Sequence, residues 1–216
     1  MSRGAIVHTV CAASIAGILA IASLVGCSSP AATFYALRAD DATGATPGDT
    51  RGDTTAAATM DIVVGPVTVP EMVDRPQIVT RNPDNTIEMN EFARWAAPLK
   101  SDIGRVIAAD LAQRLGTARV STVDLGAGTP PAWRVRVDVM RFDSVPGDSV
   151  TIEAQWVVRP PGHRARALGH TVAHEPVASL DYGALVKAHD RALAAISADI
   201  AAAILADHAP VGGATD

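Results

Sequence analysis

Three groups of side chains in the 216-residue chain have types and spacings that could do chemistry. The first is Cys27, which directly follows Leu24-Val25-Gly26 and precedes Ser28 and Ser29. A thiol between an apolar run and a small-residue stretch can be alkylated, and a thioether is no longer a nucleophile or a thiolate ligand. The second is Gly147-Asp148-Ser149-Val150. A serine hydroxyl there would be a weak nucleophile unless an oriented base activated it. The third is the pair His170 and His174, whose four-residue spacing suits zinc when both lie on a helix.

The second and third groups do not withstand their surroundings. The Ser149 block resembles the nucleophile block of GDSL-type esterases, which also need a later Asp-x-x-His. None of the six histidines has an aspartate three residues before it. Gly, Asp and Ser are in any case the residues of a tight turn. His170 and His174 fall in a strand pattern, where four residues cover roughly 13 Å, too far apart for one metal ion. His163 sits in a turn, and His189 and His208 lie on or beside the last helix without a ligand-spaced partner. With no Gly-rich phosphate loop, cysteine cluster or carboxylate pair, the expectation is a protein without catalytic residues, bound metal or cofactor.

Cys27 stands differently. Arg3 is followed by a nearly unbroken apolar stretch from Val10 to Val25 and then by small residues, the layout of a secretory leader over residues 1–26. The run is short of the ~20 apolar residues needed to span a bilayer. Leu24-Val25-Gly26-Cys27 resembles the lipobox of bacterial lipoproteins. There the cysteine receives a diacylglycerol, the peptide is cut before it, and the new amine is acylated. A plain leader with a chance cysteine, or an uncleaved anchor, are the alternatives. The resemblance implies lipidation at Cys27, a covalent lipid rather than a cofactor. One acyl chain binds membranes only marginally at ~0.8 kcal/mol per buried CH₂, so two or three chains would make desorption negligible. Ser28 in place of Asp implies, by likeness to lipoprotein sorting, the periplasmic face of the outer membrane.

Composition agrees with an exported chain. Cys11 and Cys27 are the two cysteines; one leaves with the leader and the other becomes a thioether, so no disulfide is expected. Of the 18 basic residues only Arg3 leaves, and none of the 23 acidic ones does, so the mature balance is −6. A mildly acidic chain without Lys/Arg runs is not expected to bind nucleic acid.

Residues 27–60 read as the lipidated cysteine plus a flexible linker. A β-prone TFYAL patch (Thr33 to Leu37) lies within it, and Arg38 to Met60 is poor in large apolar residues, too poor to offset the entropy of ordering. Residues 61–208 read as one α+β domain: mainly antiparallel β-sheet with two helices packed on one face, behind the lipidated linker. β runs at Ile62 to Val69 and Gln77 to Arg81 are followed by an Asn82-Pro83-Asp84-Asn85 turn and a run from Thr86 to Trp95. In that last run Ile87, Met89, Ala93 and Trp95 share the inner face. Leu99, Ile103, Val106, Ile107, Leu111 and Leu115 recur at helical steps between Pro98 and Gly116, with Lys100, Asp102, Arg105, Asp110 and Arg114 facing out. Val120 to Leu125 is a short strand. Trp133 to Val139 and Val150 to Val158 alternate cleanly around the Pro146-Gly147 turn, and Ala167 to His174 is the last strand. Asp181 to Asp207 is the longest helix, and residues 209–216 read as a frayed tail.

Several of these blocks together resemble the ABC-type transport auxiliary lipoprotein family, the PqiC type that accompanies MCE-domain lipid transporters. They are the lipobox followed by Phe34-Tyr35-Ala36-Leu37, Val64 to Arg81, Met89 to Leu99, and Asp181 to Ala201. The resemblance implies a non-catalytic, lipid-anchored component facing the periplasm, docked on an MCE-domain transporter protein that moves lipids or other hydrophobic cargo. A structural envelope lipoprotein, or a periplasmic lipid-binding carrier, is the alternative. Met72, Arg75, Phe92, Arg94 and Trp95 sit near turns, and aromatics, Met and Arg are enriched in interface cores. They are therefore the expected contact with the partner or with a second copy of the chain, unless Phe92 and Trp95 plug the core instead.

Overall fold

The computed structural model describes residues 30–39, 60–123, 131–162 and 166–208. The leader, Cys27, most of the stretch read as a linker, His163 and the tail lie outside the described residues. In chain order the elements are β1 (Thr33–Tyr35), β2 (Ile62–Thr68), a short 3-10 turn (Glu71–Val73), β3 (Gln77–Arg81), β4 (Ile87–Trp95) and α1 (Leu99–Leu115). They continue with β5 (Val120–Ser121), β6 (Trp133–Val145), β7 (Ser149–Arg159), β8 (Ala167–Pro176) and α2 (Tyr182–His208).

Alternation builds the larger sheet. Val135, Val137 and Val139 of β6 are buried while Arg134 and Arg136 are exposed, and Ile152, Ala154 and Val158 of β7 are buried beside them. This face is covered by both helices: α1 packs on β2 and β5, α2 on β7 and β8, and the helices pack on each other. The apolar stripe of α2 (Leu185, Ala188, Ala192, Leu193, Ile196, Ile200 and Ile204) is fully buried. Its alanines keep the helix slim enough to lie close to the strands. Gly116 ends α1 at φ 63°, where a side chain would be strained. Asp181 accepts the Ala184 N–H at 2.8 Å at the start of α2, supplying one of the acceptors a helix N-terminus needs.

The chain is thus one α+β domain with two helices, and its longest strand pairs, β6–β7 and β7–β8, are antiparallel. Instead of one sheet there are two, both mixed. The smaller has the order β1-β4-β3 and the larger β5-β2-β6-β7-β8. β1 runs parallel to β4, and β2 lies parallel to both β5 and β6. Parallel neighbours are joined by long crossovers and leave no turn signature in the sequence. Asp143 of β6 links the sheets, accepting from Arg81 of β3 at 3.2 Å and Arg141 at 2.7 Å. Its partial burial pulls the carboxyl pKa upward, but Arg141 and Arg81 outweigh that and hold it below the usual value.

Two packing details are invisible to periodicity. Asp102 and Asp110, expected to face outward, are 4% and 2% exposed. Asp102 Oδ2 accepts the Leu37 N–H at 2.9 Å. Arg105 donates to Asp102 Oδ1 through Nε at 3.0 Å and also to the Leu37 carbonyl. Leu37, inside the stretch read as linker, is fully buried, and Met60 is 5% exposed. An acid on a helix can face inward when a buried backbone N–H needs it. At Gly169 of β8 the Trp156 indole lies where a side chain would stand: an added Cβ would come within 2.0 Å of its Cζ2. The indole N–H donates to Thr171 Oγ1 at 3.0 Å, and Thr171 donates to Asp199 of α2 at 2.7 Å.

Candidate partner-docking site

The five residues expected to meet a partner lie on and beside the smaller sheet, and local backbone devices decide which of them face out. In the segment between Pro70 and Pro76, Val73 is buried at 3% exposure and Met72 stays 40% exposed. Arg75 is exposed and extends along β4, its Nη1 2.6 Å from Met89 Sδ. The Trp95 N–H donates to the Pro76 carbonyl at 2.7 Å, closing the segment onto the end of β4.

A bulge in β4 sorts the remainder. Gln77 pairs with Arg94, but Ile78 pairs with Asn90, so Glu91, Phe92 and Ala93 have no partner in β3. The Asn90 side chain holds this bulge by accepting the N–H groups of Phe92 at 2.8 Å and Ala93 at 3.2 Å. Three extra residues reverse the parity of the strand. Met89, expected on the inner face with Trp95, is therefore 47% exposed, whereas Trp95 is 5% exposed. Phe92, inside the bulge, is 46% exposed.

Trp95 belongs to the core. Its ring meets Phe142 edge-on at 6.3 Å and His189 at 5.7 Å. His189 is fully buried and stacks on Phe142 at 4.5 Å. The Leu185 carbonyl can only accept, so the 2.9 Å contact to His189 Nδ1 places the proton on that nitrogen. Nε2 then accepts from the Ser144 hydroxyl at 2.9 Å. Burial pushes the His189 pKa down to about 4, against a smaller upward pull from the Leu185 carbonyl.

Arg94 lies on the same rung as Phe34 of β1 and Gln77 of β3. Phe34 is 62% exposed. Sequence reading passed over it because the short β patch gave no clue to its strand partner. Arg94 Nη2 reaches Glu91 at 3.5 Å, and Gln77 Nε2 donates to the same carboxylate at 3.1 Å. Arg94 Nε is buried without a hydrogen-bond partner among the described residues. Beside this rung, a cavity of about 370 Å³ opens between Arg75, Pro76, Trp95, Pro98 and Leu99. The Lys100–Asp74 ion pair, at 2.6 Å, stands at its rim. The structure thus gathers Phe34, Met89, Arg75 and Arg94 on the smaller sheet, with Met72 and Phe92 exposed beside them. Trp95 contributes only an edge of the cavity wall.

The other chemical candidates are occupied. Ser149, 7% exposed, donates to Asp148 Oδ2 at 2.7 Å. His170 meets Glu153 and His174 meets Thr151, each at 2.9 Å on the exposed face of β8. Among the described residues no group of three or more His, Cys, Asp or Glu side chains could hold a metal ion. No described helix is long and apolar enough to cross a membrane.

Residues 43–201 match a family model described as ABC-type transport auxiliary lipoprotein component. No curated protein matches the chain. Two solved structures resemble it. One is described as an uncharacterized protein, with 20% identity and a TM-score of 0.62 over 81% of this chain and 99% of that one. The other is a Xanthomonas campestris protein described as DUF330, with 18% identity and a TM-score of 0.57 over 82% of this chain and all of that one. At such identities the likeness speaks for the fold alone.

Proposed function

The chain belongs to the ABC-type transport auxiliary lipoprotein component family, and on that premise we propose that it is the non-catalytic, membrane-tethered partner of an MCE-domain transporter. Acyl chains on Cys27 hold it to the periplasmic face of the outer membrane, and it helps move lipids or other hydrophobic cargo between the two membranes. Docking uses the exposed rung of the smaller sheet, where Arg75 and Arg94 stand among Phe34, Met72, Met89 and Phe92.

The observation that carries this reading is the rung itself. Exposed aromatic and methionine side chains beside arginine make up the composition that interfaces favour. The Arg94 side chain is 34% exposed, so its guanidinium can meet a carboxylate on the docking protein. Detergent-solubilised envelopes should yield the MCE-domain protein on pull-down of this chain. Arg75→Glu combined with Arg94→Glu should lower the recovery at least about tenfold, the effect of losing ~1.4 kcal/mol of binding. Unchanged recovery removes the surface from the proposal, and failure to capture any MCE-domain protein removes the partner.

The tether has its own test. Cys27→Ser should shift the chain from the envelope pellet to the soluble fraction, since no diacylglyceryl group can then be attached through a thioether. A variant that still sediments with envelopes and resists an alkaline wash shows that something other than lipid holds it there.

A further inference from the structure

The stretch read as a linker does not begin as one. Thr33–Tyr35 form β1 beside β4, and the Ala96 N–H donates to the Tyr35 carbonyl at 2.7 Å. Just beyond, Leu37 is fully buried, with its N–H on Asp102 of α1 at 2.9 Å. The Arg38 N–H donates to Asp190 of α2, also at 2.9 Å. Both helices grip the chain from β1 onward, so the reach of an anchor on Cys27 ends at Thr33. Six residue steps separate the two, and at ~3.3–3.6 Å each they extend no further than about 20 Å.

Exposed apolar side chains stand at this end of the domain. Phe34 is 62% exposed and Leu180, just ahead of α2, is 78% exposed. The half-buried rings of Tyr35 and Tyr182 meet at 6.0 Å and join β1 to the start of α2. Leu180 is held outward by its surroundings. The Gly147 N–H donates to the Ser179 carbonyl at 3.1 Å, and the Val177 N–H donates to the Asp148 carbonyl at 2.9 Å. A Cβ added at Gly147 would come within 2.9 Å of Leu180 Cδ2. Leu and Phe beside Tyr rings with polar tips suit the boundary between acyl chains and headgroups. The nearby carboxylates of Asp148 and Asp181 are exposed, so the attraction there is apolar rather than a matter of basic charge.

We infer that the β1 end of the domain rests on the bilayer that holds the anchor, with Phe34 and Leu180 among the outermost acyl-chain segments and Tyr35 and Tyr182 at the headgroups. The inference rests on the reading of Cys27 as lipidated. So short a tether keeps lipid at high effective concentration around these side chains, and two apolar contacts then suffice where they could not hold a free protein. A second copy of the chain is the poorer occupant, because the tether ties the bilayer to this end and nothing ties a second copy to it. Phe34 also borders Arg94, so a transporter docked on that rung meets the domain at the membrane surface.

The test uses the full lipidated chain, purified from membranes in detergent and reconstituted into vesicles of phosphatidylethanolamine and phosphatidylcholine. Phe34→Cys, Leu180→Cys and Leu205→Cys each supply one thiol for a bimane label, since a thioether at Cys27 does not react. Leu205 is 44% exposed and lies 23 residues beyond Tyr182 on α2, about 35 Å away at ~1.5 Å per residue. A lipid carrying a nitroxide near its headgroup should quench the labels at 34 and 180 at least about twofold more than the label at 205. That quenching should persist when salt is raised from about 50 to about 300 mM. Phe34→Ser should lower the quenching at 180, and Leu180→Ser the quenching at 34. Equal quenching at all three positions, indifference to the serine substitutions or loss of contact in salt overturns the inference, while flotation of the chain with the vesicles leaves the tether standing. Labels shielded from water without lipid quenching mean that protein covers the patch, which overturns it too. A chain that fails to float carries no lipid on Cys27, and both readings fall together.

Discussion

Trp95→Ala should cost about 3–5 kcal/mol of folding stability, the range for deleting a buried aromatic side chain. The indole is 5% exposed and wedged between Phe142 and His189. Its removal leaves a void among rings carried by β6 and α2, neither of which can collapse inward without disturbing its own packing. Against a total of about 5–15 kcal/mol for a typical domain, that is a third or more of the margin. Urea unfolding followed by circular dichroism would measure it, and a loss under about 1 kcal/mol would contradict the assignment of Trp95 to the core. The milder Trp95→Phe should keep the domain folded and leave capture of a partner near the parental level. A residue whose face was needed for docking would lose that capture.

Acid should destabilise the domain through His189. In the folded chain the ring is neutral, donating from Nδ1 to Leu185 and accepting at Nε2 from Ser144, with its pKa pushed down to about 4 by burial. In the unfolded chain it titrates near 6.5. Between those values the unfolded state binds the proton and the folded state does not, so stability rises with pH there. The contribution is fully present above pH 6.5, falls as the pH drops, and is exhausted near pH 4. A difference of about 2.5 pKa units corresponds to about 3 kcal/mol, of which about 2 kcal/mol is gone by pH 5. Stopping at pH 5 keeps most carboxylates ionised, so the window reports chiefly on histidine. His189→Gln cannot titrate, and its unfolding midpoint should change less between pH 7.5 and 5 than the parent's. Parallel pH profiles for the two proteins would show that another group carries the acid sensitivity.

Several elements were legible because their signals are local. The apolar spacing from Leu99 to Leu115 and the glycine behind it predict a helix between Pro98 and Gly116, and α1 spans Leu99–Leu115. The Asn82-Pro83-Asp84-Asn85 turn is present, with Asn82 donating to the Thr86 carbonyl at 2.9 Å and Asn85 at φ 66°. The alternation across Pro146-Gly147 predicts the β6–β7 strand pair, because a tight turn brings two consecutive strands together, but not the register shift between Val139 and Arg141. The candidate site was only half legible. Arg75, Arg94, Met72 and Phe92 lie at the surface or near it, but Met89 and Trp95, expected on one face, part company because a bulge held by Asn90 reverses the strand.

What the residues alone determined was everything with a short period: helix stripes, strand alternation, turn chemistry, and the blocks that place the chain in its family. Only the tertiary structure decided which strands meet, and those meetings depend on closing loops of tens of residues around a shared core. That closure put Phe34 beside Arg94 and turned Asp102 inward to hold Leu37. It also set Arg134 opposite Arg159 on the open face of the larger sheet. None of these pairs is close in sequence, so no local periodicity could have revealed them.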